Sequence, residues 1–198
     1  MAVIDVYDFD HTLFEGETSL AFFFYTLKKR PWILFFMPVL LLSGILLLLF
    51  PNDLTIGKRF FLLPLKWVGA FHMIPDFWKE MKLQGRLAPW FHPTENDVPV
   101  VICSASPGFL LSPLFVDDLA VAAVLATEVE PSGLHFLTPN TRGPEKVRRL
   151  KEAFPEAQIR IAASDSEGHD GPLLQLASVP LLVRHFERTP MERRKPNG

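Results

Sequence analysis

The chain has 198 residues, of which 48% are hydrophobic and 21% are charged, and its formal net charge is −2 at pH 7. This length and apolar content suit one domain, or one domain with an insertion, and argue against a disordered chain. The near-neutral charge gives no reason to expect nucleic acid as a partner, and the single cysteine, Cys103, excludes an internal disulfide and indicates a reducing compartment.

The first predicted element is a buried strand from Val3 to Phe9, which is rich in β-branched residues. Asp8 and Asp10 lie two residues apart at its end, where side chains at i and i+2 point to the same face. Two neighbouring carboxylates repel each other, and a cation would relieve that repulsion. The pair suits a nucleophile with an acid or base beside it. The alternative is an Asp-rich turn in which Asp10 caps the residues that follow.

The segment from residue 16 to residue 96 is aromatic, apolar and basic, and is predicted to be an insertion. Within it, Pro31 to Phe50 contains no charged residue and is long enough to cross a bilayer core of roughly 30 Å. A single crossing would separate Asp8 from the motifs that follow the segment. We therefore expect the segment to re-enter, to lie in the membrane interface, or to pack as a soluble cap helix. Pro38 and the Ser43–Gly44 pair are the expected bend points of a re-entrant segment.

Residues 60–74 form a second apolar stretch, but Lys66 in its middle makes it a poor lipid-facing span. We expect this stretch to lie along the interface, with Trp67 and Trp78 at the level of the lipid headgroups. Basic residues flank both apolar stretches and predict a catalytic domain that faces the cytoplasm. These residues are Lys28, Lys29, Arg30, Lys58, Arg59 and Lys66.

The chain after a predicted linker at residues 93–99 alternates strands and helices. Strands are predicted at 98–103, 121–128, 133–137, 159–163 and 179–183, and helices at 107–115, 143–154 and 171–177. This alternation predicts an α/β fold with an open, mostly parallel sheet. Polar side chains that follow its strands are expected to gather with Asp8 at the carboxyl ends of the sheet.

Three later features could complete a site there, and each has an ordinary alternative. Ser104, at a predicted strand-to-helix turn, suits a phosphate oxygen or a plain helix cap. Lys146 lies in the first turn of its helix, where the dipole disfavours a cation, so it indicates an anion opposite or is a solvated lysine. Asp165 and Asp170 could hold Mg²⁺ through oxygen ligands or could belong to an acidic loop.

The order of these features resembles the haloacid dehalogenase-like hydrolase superfamily, whose members include phosphatases that work through an aspartyl phosphate. The motifs are DxDxT, a strand followed by serine, a helix lysine, and a strand followed by two acids. More narrowly, "SASPG", "TPNTRGPEKVRRL" and "DSEGHDGPLL" look like phosphatidylglycerophosphatase C-type membrane phosphatases. The resemblance covers residues 1–15 and 97–185. It implies a Rossmann-like core of three layers there, with residues 16–96 as an apolar, mostly helical cap.

The resemblance also implies catalytic and metal-binding roles. Asp8 would be the nucleophile and a Mg²⁺ ligand, and Asp10 would be the general acid and base whose backbone carbonyl also binds the metal. Asp165 would complete the Mg²⁺ shell, and Asp170 would support it from behind. The spacing from Asp165 to Asp170 is one residue longer than in the family, and Ser164 replaces the customary glycine.

Phosphate binding is the other implied function. Ser104, Ala105 and Lys146 would hold the phosphoryl group, with Lys146 neutralising its charge, and Thr12 would contact that group or Asp10. His11 stands where the family commonly has glycine.

The expected function is therefore a Mg²⁺-dependent phosphatase for a phosphomonoester, with a lipid such as phosphatidylglycerol phosphate as the first expectation. One alternative is a phosphatase for soluble monoesters resembling phosphoserine, and another is a catalytically silent membrane adaptor. The expected location is the cytoplasmic membrane, and residues 186–198 are predicted to form a disordered basic tail.

Overall fold

The computed structural model of the chain describes residues 2–51, 53–93, 97–116 and 120–191. The strands, in chain order, are β1 (Val3–Tyr7), β2 (Val100–Pro107), β3 (Val121–Thr127), β4 (Val129–Glu130), β5 (His135–Phe136), β6 (Gln158–Ser164), β7 (Val179–Arg184) and β8 (Glu187–Pro190). The α-helices are α1 (Thr18–Lys29), α2 (Met37–Leu49), α3 (Thr55–Trp67), α4 (Ile74–Leu83), α5 (Gly108–Phe115), α6 (Pro144–Ala153) and α7 (Glu167–Leu174). Short 3₁₀ helices at Pro31–Phe36 and Phe71–Met73 precede α2 and α4.

A mostly parallel sheet forms the centre of the described structure. Its six strands lie in the order β3-β2-β1-β6-β7-β8, and the neighbouring strands are parallel except for β7 and β8. Strands β4 and β5 form a separate antiparallel pair. The predicted α/β fold with a mostly parallel sheet and a helical insertion after the first strand is therefore confirmed.

Helices cover both faces of this sheet, because successive side chains of each buried strand point to opposite sides. Val6 packs in a cluster that contains Leu150 of α6 and Leu173 of α7. Tyr7, the next residue, packs in a second cluster that contains Leu110 of α5 and the buried residues of the insertion. The result is the three-layer arrangement that buried parallel strands require.

The chain enters and leaves the insertion at one place, a narrow neck formed by residues from its two ends. Phe14 and Leu87, from the two ends of the insertion, form an antiparallel bridge. The backbone N–H of Glu15 also donates a hydrogen bond to the Arg86 carbonyl at 2.9 Å. The neck therefore holds the two ends of the insertion side by side, although the intervening helices span about 70 residues.

Helices α2 and α3 pack side by side and are joined by residues 50–54. The Ser43 hydroxyl of α2 donates a hydrogen bond to the Gly57 carbonyl of α3 at 2.8 Å. A Cβ atom on Gly57 would lie 2.6 Å from the Leu47 side chain and 3.1 Å from its backbone nitrogen. Glycine at this position therefore sets how closely the two helices approach.

Two predictions about the insertion are wrong. Helix α2 runs without a break through Ser43 and Gly44, and Pro38 lies in its first turn, where proline is tolerated, so the chain turns after α2 and not within it. Trp78 is buried, and its indole N–H donates to the Leu110 carbonyl at 2.8 Å, so it is part of the core and not of an interface. Trp67 is about half exposed.

Several predicted element boundaries also need correction. Strand β1 ends at Tyr7, two residues before the predicted end. Strand β2 continues to Pro107 because that residue still pairs with Thr127 of β3, so Ser104 lies within a strand and not at a strand-to-helix turn. Helix α7 begins at Glu167, four residues earlier than predicted, because Ser166 caps it. Residues 94–96 of the predicted linker lie outside the described residues.

The predicted disordered tail is wrong for Glu187–Pro190, which form β8 and pair with β7. The Arg188 guanidinium also lies over the Trp90 ring, 4.7 Å from its centroid, and attaches this hairpin to the end of the insertion. Residues 192–198 lie outside the described residues.

We expect Gly57→Ala to lower the free energy of unfolding by about 1–3 kcal/mol, because the added methyl group collides with Leu47 and overpacks the contact between α2 and α3. Denaturant unfolding in a mild detergent measures the change. Gly44→Ala is the matched control, since its Cβ would meet no atom within 4 Å and alanine favours the helix. Equal stability of the two variants would contradict this account of the helix pair.

Candidate active site

A cavity of about 500 Å³ opens at the carboxyl ends of β1, β2 and β6. The core contributes acids and a lysine to its wall, and the insertion contributes mostly apolar side chains. A parallel α/β sheet binds its ligands at this edge. Five of the predicted site residues with charged side chains line the cavity: Asp8, Asp10, Lys146, Asp165 and Asp170.

Lys146 joins two of the carboxylates. Its Nζ atom lies 2.6 Å from Asp8 Oδ1 and 2.6 Å from Asp170 Oδ2, and all three side chains are at least nine-tenths buried. The Ser164 hydroxyl donates a further hydrogen bond to Asp170 Oδ2 at 2.7 Å. Asp170 therefore positions Lys146, and Ser164 contributes to that contact.

Burial dominates the electrostatics of this triad. Loss of water raises the pKa of Asp8 to about 7, although Lys146 opposes the rise and Asp170 adds to it. Burial also disfavours the charge on Lys146, but the two carboxylates together outweigh it and raise the pKa of that ammonium. The lysine is therefore charged throughout the physiological pH range.

Hydrogen bonds hold both oxygens of Asp10. Thr18 donates its backbone N–H to Asp10 Oδ1 at 2.8 Å, and the Thr18 hydroxyl donates to the same oxygen. The Ser106 hydroxyl donates to Asp10 Oδ2 at 2.6 Å. Sequence reasoning missed Thr18 and Ser106. The pattern "SAS" contained a weak signal for Ser106, since Ser104 and Ser106 are two residues apart on one strand.

His11 lies in the left-handed backbone region, with φ of +58°. Its backbone N–H donates to the Gly16 carbonyl at 3.2 Å and closes the turn that follows Asp10. Glycine, which the resemblance leads us to expect here, adopts this conformation more readily than a residue with a Cβ atom. His11 lines the cavity, where burial raises the pKa of Asp165 and the neighbouring imidazole partly opposes that rise.

The structure does not bring every predicted phosphate-binding side chain to the cavity. Ala105 and Lys146 line it, but Ser104 and Thr12 are fully buried outside its wall. The Ser104 hydroxyl accepts a hydrogen bond from the Ser106 N–H at 3.1 Å, and Thr12 Oγ1 has no partner among the described residues. Contact of Ser104 and Thr12 with a phosphoryl group stays a prediction.

The predicted metal ligands Asp8, Asp10 and Asp165 all line the cavity. The oxygens predicted to bind the metal are the carboxylates of Asp8 and Asp165 and the backbone carbonyl of Asp10. The described residues contain no compact group of three His, Cys, Asp or Glu side chains. This arrangement suits a metal that takes one or two carboxylates together with water and a substrate oxygen, as Mg²⁺ does.

The cavity is also lined by functional candidates that the sequence did not identify. Lys58 of α3 donates hydrogen bonds to the Ala105 carbonyl at 2.8 Å and to Asn140 Oδ1 at 2.6 Å. Arg142 and His169 line the cavity and contact each other through Nη2 and Nε2 at 2.5 Å. In the sequence, Lys58 is one of several lysines beside an apolar stretch, and nothing distinguishes it until the helix is folded against β2.

Comparisons with known proteins agree with this fold. The model of the haloacid dehalogenase-like hydrolase family matches residues 6–175. A haloacid dehalogenase family hydrolase from Salmonella enterica serovar Typhi has a TM-score of 0.56 at 13% identity, over 91% of this chain and 62% of its own. A phosphoserine phosphohydrolase-like protein from Francisella tularensis has a TM-score of 0.54 at 17% identity, over 93% of this chain and 87% of its own. No curated protein matches the chain in sequence.

We expect Lys146→Met to lower the free energy of unfolding by about 3–5 kcal/mol near pH 8, because it leaves the Asp8 and Asp170 carboxylates buried without a cation. The loss should shrink toward pH 5. Burial raises the pKa of Asp8 and Lys146 opposes that rise, so without Lys146 the folded pKa of Asp8 lies still further above its unfolded value; the folded state then binds more protons and gains stability as the pH falls. Urea unfolding at the two pH values measures both effects.

Lys151→Met is the matched control, since Lys151 is exposed on the same helix and its loss should change stability by less than about 0.5 kcal/mol. A loss for Lys146→Met that does not depend on pH would show that the carboxylates are not its cause.

Proposed function

This chain belongs to the haloacid dehalogenase-like hydrolase family, and we propose that it is a Mg²⁺-dependent phosphatase for the terminal phosphate of a phospholipid. The observation that carries the proposal is the two-sided cavity. One wall presents Asp8, Asp10 and Lys146, which suit phosphoryl transfer, and the other wall presents apolar side chains of the insertion.

The nucleophile in this proposal is Asp8. Lys146 takes Oδ1, which leaves Oδ2 to attack phosphorus while the bond to the leaving oxygen breaks. Lys146 also offers positive charge to the phosphoryl oxygens. The resulting aspartyl phosphate is then attacked by water, which releases inorganic phosphate and restores Asp8.

Asp10 serves both half-reactions as the proton carrier. It gives a proton to the leaving alkoxide and then takes one from the attacking water. Two of its hydrogen-bond partners, Thr18 Oγ1 and Ser106 Oγ, are hydroxyls that can donate or accept. Asp10 can therefore keep its position in the ionised and the protonated form, which a partner limited to N–H groups would not allow.

Mg²⁺ fits the oxygen donors on the core wall. Asp8, Asp165 and the Asp10 carbonyl would hold it, and the bound ion would supply positive charge to the phosphoryl oxygens. Asp170 Oδ1 is buried and has no hydrogen-bond partner among the described residues, so the site has acceptor capacity beyond what its own donors satisfy.

The apolar wall supports a lipid as the leaving group. It consists of Leu20, Leu47, Leu54, Phe61 and Leu62. A soluble monoester would gain little from these side chains, whereas acyl chains could remain near them while the phosphate reaches Asp8. A phosphoryl group also fills only a small part of a cavity of about 500 Å³.

The outer surface of α2 and of the 3₁₀ helix before it supports contact with a membrane. Pro31–Leu49 has a mean hydropathy of 2.6 and only 11% of it is buried, and Leu48, beside the cavity residue Leu47, is 83% exposed. Exposed apolar patches of this kind mark interaction sites. Helix α2 therefore carries both this exposed apolar surface and one residue of the apolar cavity wall, Leu47.

We propose that this segment lies in the interface at the cytoplasmic face of a membrane. The continuous helical segment Pro31–Leu49 has 19 residues and is long and apolar enough to cross a membrane by length and composition alone, but α2 packs against α3. The chain then returns within five residues to α3, whose Lys58 contacts the core. Basic residues at the start of the segment, Lys28, Lys29 and Arg30, suit an anionic lipid surface.

A phosphatase for soluble monoesters is the second candidate. Its support is the structural similarity to the phosphoserine phosphohydrolase-like protein. At 17% sequence identity this similarity is evidence for a shared fold only. The third interpretation, a silent adaptor, has less support because Asp8, Lys146 and Asp170 are in contact despite the unusual loop that contains Asp170.

The nucleophile can be tested first. Asp8→Asn should abolish Mg²⁺-dependent hydrolysis of p-nitrophenyl phosphate, with a loss of at least about 1,000-fold, because the amide cannot form the acyl phosphate. Steady-state assays measure the loss, and the far-ultraviolet circular dichroism spectrum should be unchanged. Retained turnover in the folded variant would contradict the covalent mechanism.

The substrate class can be tested in mixed micelles. We expect kcat/KM for phosphatidylglycerol phosphate to exceed that for glycerol 3-phosphate and for phosphoserine by at least about tenfold, since only the lipid uses the apolar wall. Equal or faster turnover of the soluble esters would overturn the lipid assignment and leave the phosphatase assignment intact.

Two matched variants separate membrane contact from chemistry. Leu48→Gln should reduce turnover of the lipid substrate and binding to anionic vesicles, because it places an amide on the exposed face of α2. Leu83→Gln alters an equally exposed leucine, 88% accessible at the end of α4, and should change neither.

A further inference from the structure

The cavity contains a lysine that the phosphatase chemistry does not use. Lys58 is part of α3 in the insertion, and its ammonium donates to the Ala105 carbonyl and to Asn140 Oδ1. Both acceptors are neutral. Lys146, in contrast, is paired with two carboxylates.

The charge on Lys58 is only partly balanced. An ammonium has three N–H donors, and the two hydrogen bonds leave one of them for another acceptor. Lys58 makes no salt bridge within the described ranges, and the carboxylates of Glu17 and Asp10 act on it only from a greater distance. Removal of water lowers the pKa of Lys58 to about 8 despite those acids. A nearby anion would therefore stabilise this side chain.

A second cation lies close to the first. Arg142 lines the same cavity and is two residues from Asn140, which Lys58 contacts. Its guanidinium contacts His169 and has no carboxylate partner among residues 2–51, 53–93, 97–116 and 120–191. The insertion and the loop before α6 thus place two cations without carboxylate partners on one part of the cavity wall.

We propose that Lys58 and Arg142 bind a second anionic group of the substrate, located in the leaving group. This inference rests on the proposed phosphatase function and narrows its substrate class to phosphomonoesters that also carry a phosphodiester or a carboxylate. Cationic donors form strong, short hydrogen bonds with either group. Phosphatidylglycerol phosphate has such a group, and phosphatidic acid does not.

The competing explanation is that Lys58 merely attaches the insertion to the core. Lys66 provides a comparison, since it is part of the same helix and donates to the Ser132 carbonyl of the core but does not line the cavity. Loss of an attachment should affect every substrate alike, whereas loss of an anion-binding residue should affect only substrates with the second charge.

Water-soluble esters isolate the second charge from the lipid. We would measure kcat and KM for glycerol 3-phosphate, for 3-phosphoglycerate, and for glycerophosphoglycerol phosphate, the deacylated form of phosphatidylglycerol phosphate. Lys58→Met should lower kcat/KM for at least one of the two doubly anionic esters by about 10- to 100-fold more than for glycerol 3-phosphate, chiefly through KM. The ester that is affected identifies the group, and Lys58→Arg should retain most of the preference.

Lys66→Met in the full chain is the control and should leave the ratio between the esters unchanged. The proposal is overturned if Lys58→Met lowers turnover of all three esters equally, lowers none, or behaves like Lys66→Met. Calorimetric binding of the same esters to Asp8→Asn, with and without Lys58→Met, provides a readout that does not depend on turnover.

These measurements distinguish failure of the phosphatase proposal from failure of the anion-binding proposal. If the wild-type chain hydrolyses no phosphomonoester, the phosphatase proposal fails, and the ratio of binding affinities still decides whether Lys58 recognises a second anion. If hydrolysis occurs without any Lys58-dependent preference, the phosphatase proposal stands and the anion-binding inference fails.

Discussion

The buried contact of Lys146 with Asp8 and Asp170 is the interaction on which the site depends. It joins the residue that follows β1 to α6 and α7, and the Lys146–Asp8 pair spans 138 residues of sequence. A buried ion pair adds little net stability, because desolvation offsets the attraction. The contribution of this contact is to positioning. Because one ammonium binds both carboxylates, Lys146 and Asp8 are both held at the cavity.

The insertion depends on a second constraint, which is the close approach of α2 and α3. Because Gly57 has no side chain, Leu47 can pack directly against it. The next residue along the chain is Lys58, whose ammonium contacts the core. Leu47 also lines the cavity. The contact between α2 and α3 therefore positions both Leu47 on the apolar side of the cavity and Lys58 at its charged part, so the shape of the cavity and its charge are coupled.

Local patterns predicted the parts of this molecule that depend on neighbouring residues in the chain. The apolar strands, the carboxylates that follow β1 and the lysine in the first turn of α6 all have local causes. Thr18, Ser106 and Lys58 could not be identified in this way, because each acquires its role from a contact with a distant element. Trp78 was misjudged for the same reason, since an apolar stretch does not reveal whether protein or lipid covers it.

The neck at Phe14 and Leu87 has a consequence for the history of the chain. Because the two ends of the insertion are hydrogen-bonded to each other, the sheet is connected to the same junction whatever helices lie between the ends. The entropy of closing such a loop grows only with the logarithm of its length, by about 0.6 kcal/mol for each doubling. Recombination at this junction could therefore replace the helices wholesale, and a lineage could exchange its substrate while it inherits the catalytic core unchanged.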